Sequence, residues 1–355
     1  DAAVTVQQAS HEFAFGSASS AETVLQTDAD AVQYQTELLR LFNLSLPFNA
    51  LKSKPLHGDW GAAWDGRGEA AVDWMLSQGL RTRGHVLVWP SWRHSPLAWE
   101  ALSDADLRTT VRNHVRDTVA MKRGKLEHWD VINEPFDNHD IMDRLGDAEM
   151  VEWFDIARQE DPDVMLFLND YAILSGGAGD TAHRAHYEDT IQYLLDNGAP
   201  LDGLGMQSHF GTALTPPVEV TALLDRYAVF DKPVLITEYT IDPGDDDVAG
   251  CYTRDFLLAT MAHPSVMGLV LWGFQGGNKA IFADDWTLQK SGRVWEDLVL
   301  GAFDTDSSGT SDASGRFSTR AMRGTLNVTA TAGTLSGSTT AVVRDAPAAA
   351  TVIVD

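Results

Sequence analysis

A chain of 355 residues that is 44% hydrophobic can bury a large core, enough for one big α/β domain with a small appendage. Its 51 acidic and 26 basic residues leave a formal net charge of −25, which repels nucleic acid and anionic membranes and suits a neutral ligand. The single Cys251 excludes an internal disulfide, and no apolar run is long enough to span a bilayer.

From residue 11 onward, short apolar runs rich in β-branched or aromatic residues alternate with stretches of helical periodicity. Strands are predicted at 13–18, 41–48, 81–89, 126–133, 164–169, 203–209, 234–238 and 266–274. Helices are predicted at 30–39, 66–78, 104–122, 147–159, 181–196, 217–230 and 249–262, several opened by Asp, Thr or Pro at capping positions. This strand-then-helix rhythm over residues 11–302 predicts an α/β fold, a (β/α)8 TIM barrel. A doubly wound open sheet is the alternative, but Phe15-Gly16-Ser17-Ala18 is no Gly-rich phosphate turn. Residues 303–355 are rich in Gly, Ser, Thr and Asp, with alternating segments at 316–320, 326–330 and 341–344. They predict a small C-terminal all-β module, to which an N-terminal strand within residues 1–10 can contribute; a disordered tail is the alternative.

The predicted strand ends carry His85 and Trp89, Asn133 and Glu134, Asn169 to Tyr171, Gln207 and His209, Glu238, and Trp272. Barrel chemistry gathers at that face, so these scattered residues should converge on one cleft. Two glutamates, several amides and histidines, a lysine and tryptophans are the equipment for binding hydroxyls and stacking on sugar faces. Glu134 and Glu238 end the fourth and seventh predicted strands, which face each other across a closed barrel. Glycoside cleavage needs such a pair, one carboxyl protonated and one ionised. For Glu134 alone, a strand-end carboxylate capping the next helix is the competing reading. No zinc-like Cys/His cluster and no phosphate loop is present in the sequence, so neither a metal nor a cofactor is called for.

Eight motifs in order then resemble glycoside hydrolase family 10, the endo-β-1,4-xylanases, from Phe13 to about Leu300. They are Phe15 to Ala18, Asn49-Ala50-Leu51-Lys52, Arg83 to Trp89, Trp129 to Glu134, Asn169-Asp170-Tyr171, Gly205 to His209, Ile236-Thr237-Glu238 and Leu271-Trp272-Gly273. The resemblance implies a secreted, retaining endo-hydrolase of xylan, with Glu134 as acid/base and Glu238 as nucleophile. It further implies that Asn133 bonds the 2-hydroxyl of the attacked sugar, and that Gln207 and His209 flank the nucleophile. Asn49, Lys52, His85 and Trp89 would line the non-reducing side, Trp272 would close over the cleaved sugar, and Tyr171 would line the cleft. The expected partner is a xylan-like polysaccharide and the expected state a monomer, its leader removed ahead of Asp1.

Several positions depart from the family pattern. Phe48 stands where a glutamate is usual before the Asn, Pro90 and Trp92 replace His and Gln after Trp89, and Thr240 replaces the Asp two residues past the nucleophile. Phe274-Gln275-Gly276-Gly277 stands where an Asp and a second Trp are common. The first two changes remove polar groups from the sugar-binding side. They keep open the same chemistry on another β-1,4-linked or mixed-linkage polysaccharide; a barrel that binds polysaccharide without cutting it is a further alternative, against which the presence of both Glu134 and Glu238 argues. Trp60, Trp64, Trp74, Trp99, Trp129, Trp153 and Trp295 are assigned to packing, while Trp92 and Trp286 suit packing and stacking equally. His183 and His186 are read as surface histidines rather than metal ligands, and 304–309 as a plain turn rather than a calcium loop, because Gly315 holds the twelfth position. Only seven of the basic residues are lysines. A lysine-poor acidic surface suits a salty medium, where screening relieves self-repulsion. The melting temperature should therefore rise from low to molar salt, and an unchanged value would exclude this reading.

Overall fold

Most barrel runs are apolar without alternation, the pattern of strands covered on both faces. In the computed structural model, which describes residues 1–177, 179, 181–277 and 280–355, they form a closed parallel barrel. In chain order the strands are β1 (Ala3–His11), β2 (Ala14–Ala18), β3 (Leu44–Leu46), β4 (Arg81–Gly84), β5 (His128–Asn133), β6 (Met165–Asp170) and β7 (Gly203–Met206). They continue with β8 (His209–Phe210), β9 (Val234–Ile241), β10 (Val266–Leu271), β11 (Asp306–Thr310), β12 (Gly324–Ala332) and β13 (Leu335–Val343). Strands β2 to β7, β9 and β10 pair in parallel in that order, and β10 closes the ring onto β2. The short β8 extends the line of β7 and pairs with the end of β9.

Strand periodicity separates two cores. Ala14, Leu235 and Val270 join Ala18, Leu44, Leu46 and Phe167 in one cluster, while their neighbours Phe15, Ile236 and Leu269 join the larger cluster shared with the helices. A period of two therefore sends alternate residues to the inside and the outside of the barrel. Gly84 marks a close approach: a Cβ there would sit 2.2 Å from Trp129 Cε3.

All seven expected helices are present, as Ala29–Leu41, Arg67–Ser77, Asp104–Lys122, Ala148–Glu160, Ala182–Asp196, Pro217–Ala228 and Asp246–Ala262. Side chains of Asp28, Ser103, Thr181 and Asp245 accept the free N–H groups of the first turns. The seventh of these starts before the expected 249 because Asp245 caps it and Asp246 and Asp247 favour its positive end. The helix Lys290–Asp297 escaped prediction: Gln289 gives no side-chain cap and Gly292 lies inside it. The strand expected over 41–48 shrinks to β3, because the preceding helix runs through Leu41 and Phe48 turns left-handed at φ 23°.

A separate four-stranded antiparallel sheet runs β11-β1-β12-β13, so the N-terminal strand is internal to it. Val4, Val6, Leu326 and Ala330 form its core, with Val352 and Val354 packed against them. Two expectations are corrected. Residues 316–320 form no strand; instead Phe317 covers Gly309. Of the turn read at 304–309, residues 306–309 lie in β11, drawn into extended form by pairing with β1. Among the described residues, no helix is long and apolar enough to cross a membrane.

Gly84→Ala should cost about 1–3 kcal/mol by overpacking against Trp129, read as a lower urea midpoint at unchanged m-value.

Candidate active site

β5 ends at Asn133, and the next residue, Glu134, takes a left-handed backbone at φ 55°. Its N–H still donates to the Asn169 carbonyl at 2.9 Å, so the chain turns out of the sheet without losing the neighbouring strand. Glu238 lies within β9, its N–H donating to the Gln207 carbonyl at 3.0 Å. Three amides join the two carboxylates across the barrel mouth. Gln207 Nε2 donates to Glu134 Oε1 at 2.7 Å and to Asn133 Oδ1 at 3.2 Å. Asn169 Nδ2 donates to Asn133 Oδ1 and to Glu238 Oε1, both at 2.9 Å. Each donor amide thus uses both of its hydrogens. Thr237 Oγ1 donates to Asn169 Oδ1 at 2.6 Å, and Asn138 Nδ2 reaches Glu134 Oε2 at 3.2 Å.

The two carboxyls meet different surroundings. Burial is the largest influence on Glu134 and pushes it above the ordinary carboxyl range; the Gln207 hydrogen bond opposes the rise and the Glu238 charge adds to it. Burial also pushes Glu238 upward, but the His209 hydrogen bond and the charges of His85, His209 and Lys52 outweigh it and hold Glu238 at about 2. His209 Nε2 is 3.2 Å from Glu238 Oε2, and His85 Nδ1 is 3.8 Å from Oε1. His85 Nδ1 lies 2.8 Å from Asp130 Oδ2, and Asp130 Oδ1 accepts from Arg83 at 2.5 Å, a fully buried ion pair beneath the cleft. Burial lowers the Lys52 ammonium, with Glu238 and Glu134 pulling it back up.

The aromatic residues gather on one side. Lys52 Nζ sits 4.5 Å from the centroid of Trp89 and 5.8 Å from that of Trp272. Trp272 meets His85 edge-on at 5.2 Å and Phe48 at 5.4 Å, and Trp89 lies flat on His94 at 3.6 Å. Asn49 is half-buried beside Phe48, its carbonyl accepting from the Lys52 N–H at 3.1 Å. The Tyr171 hydroxyl donates to Asp137 and its ring meets His183 edge-on.

Thr237 and Asn138 belong to the carboxylate network although sequence reasoning gave them no site role, and Asn169, expected at the cleft only as a strand-end residue, bridges Asn133 and Glu238. The reading of His183 as a surface residue is corrected. It is buried, stacked on Phe136, with Nε2 2.9 Å from Asp170 Oδ1. Burial raises the Asp170 carboxyl to about 7 despite this contact. Trp99, Trp129, Trp153 and Trp295 are buried, and Trp64, Trp74, Trp92 and Trp286 pack against the main core. Trp60 is 39% exposed and packs edge-on to Trp64. Among the described residues, no group of three or more His, Cys, Asp or Glu could hold a metal ion.

The sequence description of Glycosyl hydrolase family 10 matches residues 5–286. The chain belongs to glycosyl hydrolase family 10. This is the family that its motifs resemble. The chain is 31% identical over 265 residues to the anti-sigma-I factor RsgI6 of Acetivibrio thermocellus, covering 73% of this chain and 34% of that protein. It is 28% identical over 273 residues to endo-1,4-beta-xylanase 1 of Arabidopsis thaliana, covering 77% of this chain and 28% of that one. The chain thus spans about a third of the length of these curated relatives. Among solved structures, xylanase 10B from Thermotoga petrophila in complex with xylobiose superposes with a TM-score of 0.73 at 19% identity, covering 81% of this chain and 94% of that one.

Where this family 10 chain departs from the usual motifs, the replacements pack. Phe48 stands against Trp272, and a Cβ on Gly273 would lie 2.9 Å from its ring. Trp92 takes Arg144 over its ring at 5.5 Å, and its N–H donates to Asp140 at 2.8 Å. Thr240 Oγ1 lies 2.9 Å from His209 Nδ1.

Side-chain NMR titration should find Glu238 ionised down to about pH 2 and Glu134 still protonated above the ordinary 4.5. Because the folded-state value of Glu238 is depressed, its contribution to stability is complete above 4.5 and is lost as pH falls from there toward 2. Glu238→Gln should therefore narrow the stability difference from wild type across that window, read by urea midpoints.

Proposed function

We propose that the chain is a secreted, monomeric, retaining endo-hydrolase that cleaves β-1,4-xylosidic links in xylan. The observation that carries this reading is the opposite bias on two amide-linked carboxyls at one barrel mouth: Glu134 favours its protonated form and Glu238 its ionised form. Glu238 attacks the anomeric carbon while Glu134 gives its proton to the departing oxygen, leaving a covalent glycosyl-enzyme. Glu134, now ionised, takes a proton from water, whose oxygen attacks the same carbon and releases Glu238. Retention requires carboxyls about 5–5.5 Å apart, and the short amide linkage between them supports such a spacing. Asn133 would bond the 2-hydroxyl as charge develops, a role supported by its bonds to the amides of Asn169 and Gln207 that link the two carboxyls.

Xylan as the substrate is supported by family membership and by the xylanases among the relatives. Trp89 and Trp272, with Lys52 between them, form the wall on which sugar faces would stack. Two observations favour other readings. The apolar Phe48 and Trp92 suit a different β-1,4-linked or mixed-linkage polysaccharide, and the name of one relative, an anti-sigma-I factor, does not speak of hydrolysis.

A reducing-end assay over a polysaccharide panel should give the largest rate on xylan; wild-type protein that binds xylan without turnover would end the catalytic reading. Glu134→Ala should lower kcat on xylan by about 10²–10⁴-fold, and Glu238→Ala by at least as much. Azide should restore turnover of an activated aryl glycoside by Glu134→Ala, with a β-glycosyl azide as product, and leave Glu238→Ala without that product. In wild type the kcat/KM profile should fall on the alkaline side as Glu134 loses its proton.

A further inference from the structure

The hydroxyl of Thr240 stands where it decides which nitrogen of His209 carries a proton. Glu238 and Thr240 are two residues apart on β9, so their side chains share one face. The short β8 pairs His209 directly with Thr240 and lays the imidazole along that face. Its two nitrogens are therefore bracketed, Nε2 at 3.2 Å from Glu238 Oε2 and Nδ1 at 2.9 Å from Thr240 Oγ1. The Thr240 side is buried, whereas the His209 side chain is 37% exposed at the cleft.

An ionised Glu238 can only accept, so Nε2 holds it only while carrying a proton. In the neutral ring that leaves Nδ1 bare and in need of a donor, which a hydroxyl can be. In the charged ring Nδ1 carries a proton and needs an acceptor, which the same hydroxyl can also be. A carboxylate at this position could only accept. It would hold the proton of the neutral ring on Nδ1 and leave Nε2 with nothing to give Glu238. We propose that Thr240 is a positioning residue that keeps neutral His209 in its Nε2–H form, so that the grip on Glu238 survives loss of the imidazole charge. This deepens the hydrolase reading above and rests on it for the role of Glu238. The other charged or titratable groups facing Glu238 are Lys52 and His85 from the β3 and β4 side and Glu134 across the mouth, and none of them bonds Nδ1 of His209.

Ring ¹⁵N resonances of His209 in the free protein, at a pH where the ring is neutral, test this without reference to turnover. Wild type and Thr240→Ser should show a protonated Nε2 and a bare Nδ1. Thr240→Asp should invert the two, and Thr240→Val, of similar volume without the hydroxyl, should show a mixture. A wild-type ring protonated on Nδ1, or an unchanged Nε2–H form in Thr240→Val, would overturn the proposal even if Thr240→Asp does not fold. In kinetics, kcat/KM of Thr240→Asp should fall about tenfold or more relative to wild type on the alkaline side, with a smaller loss where the ring is charged, while Thr240→Ser keeps the wild-type profile. Equal loss at every pH would mark a merely structural role. Should Glu238→Ala retain full activity, the hydrolase reading fails while the tautomer result still stands or falls alone.

Discussion

Two carboxyl groups near each other in a poorly solvated site cannot both ionise cheaply, and the candidate site is built around that constraint. Burial penalises both charges, so surrounding groups decide which carboxyl keeps its proton. Lys52 acts on both, but Glu238 also faces His209 and His85, whereas Glu134 meets the neutral amides of Gln207 and Asn138. Each unit of separation between two such values corresponds to about 1.4 kcal/mol of differential stabilisation, so a few directed groups suffice. The amides of Gln207 and Asn169 fix the spacing and carry no charge, so they hold the pair without cancelling its asymmetry.

The barrel supplies the positions. Among the described residues, non-glycine left-handed conformations occur just past the ends of β3, β5, β6 and β7, at Phe48, Glu134, Ala172 and Ser208. Each costs on the order of 1 kcal/mol or more and persists only where its surroundings demand it. Here each lifts a chain out of the sheet on the rim where the carboxylates meet. At Glu134 the backbone stays tied to Asn169, so the turn and the amide network come from the same pair of strands. Under the rim, the buried Arg83–Asp130 pair holds His85 in turn, and the support of Glu238 continues into the barrel interior.

The barrel strands were legible because burial on both faces writes them as continuous apolar runs, and helix starts were legible where Asp28, Ser103 or Thr181 caps the first turn. What escaped lacks such local signals. β11 reads Asp-Ser-Ser-Gly-Thr and is a strand only because β1, some 300 residues earlier, pairs with it. The place of Asn169 between Asn133 and Glu238 depends on three strands meeting, which no single window contains. His183 looked like a surface histidine from its spacing. Its burial is set by Phe136 and Asp170, both outside its own helix.

The departures from family pattern divide by what they touch. Phe48 and Trp92 alter the wall against which a sugar would lie, leaving every hydrogen bond between the carboxylates in place. Thr240 alters the support of Glu238 and still fills the space beside Nδ1 with a group that bonds it. Protonation asymmetry depends on a few directed bonds and tolerates replacement of a neighbour by any group able to complete them. Recognition of a neutral polymer would depend instead on the shape and polarity of the whole wall, which Phe48 and Trp92 make more apolar. A chain can therefore keep the reaction of its family while its substrate preference drifts.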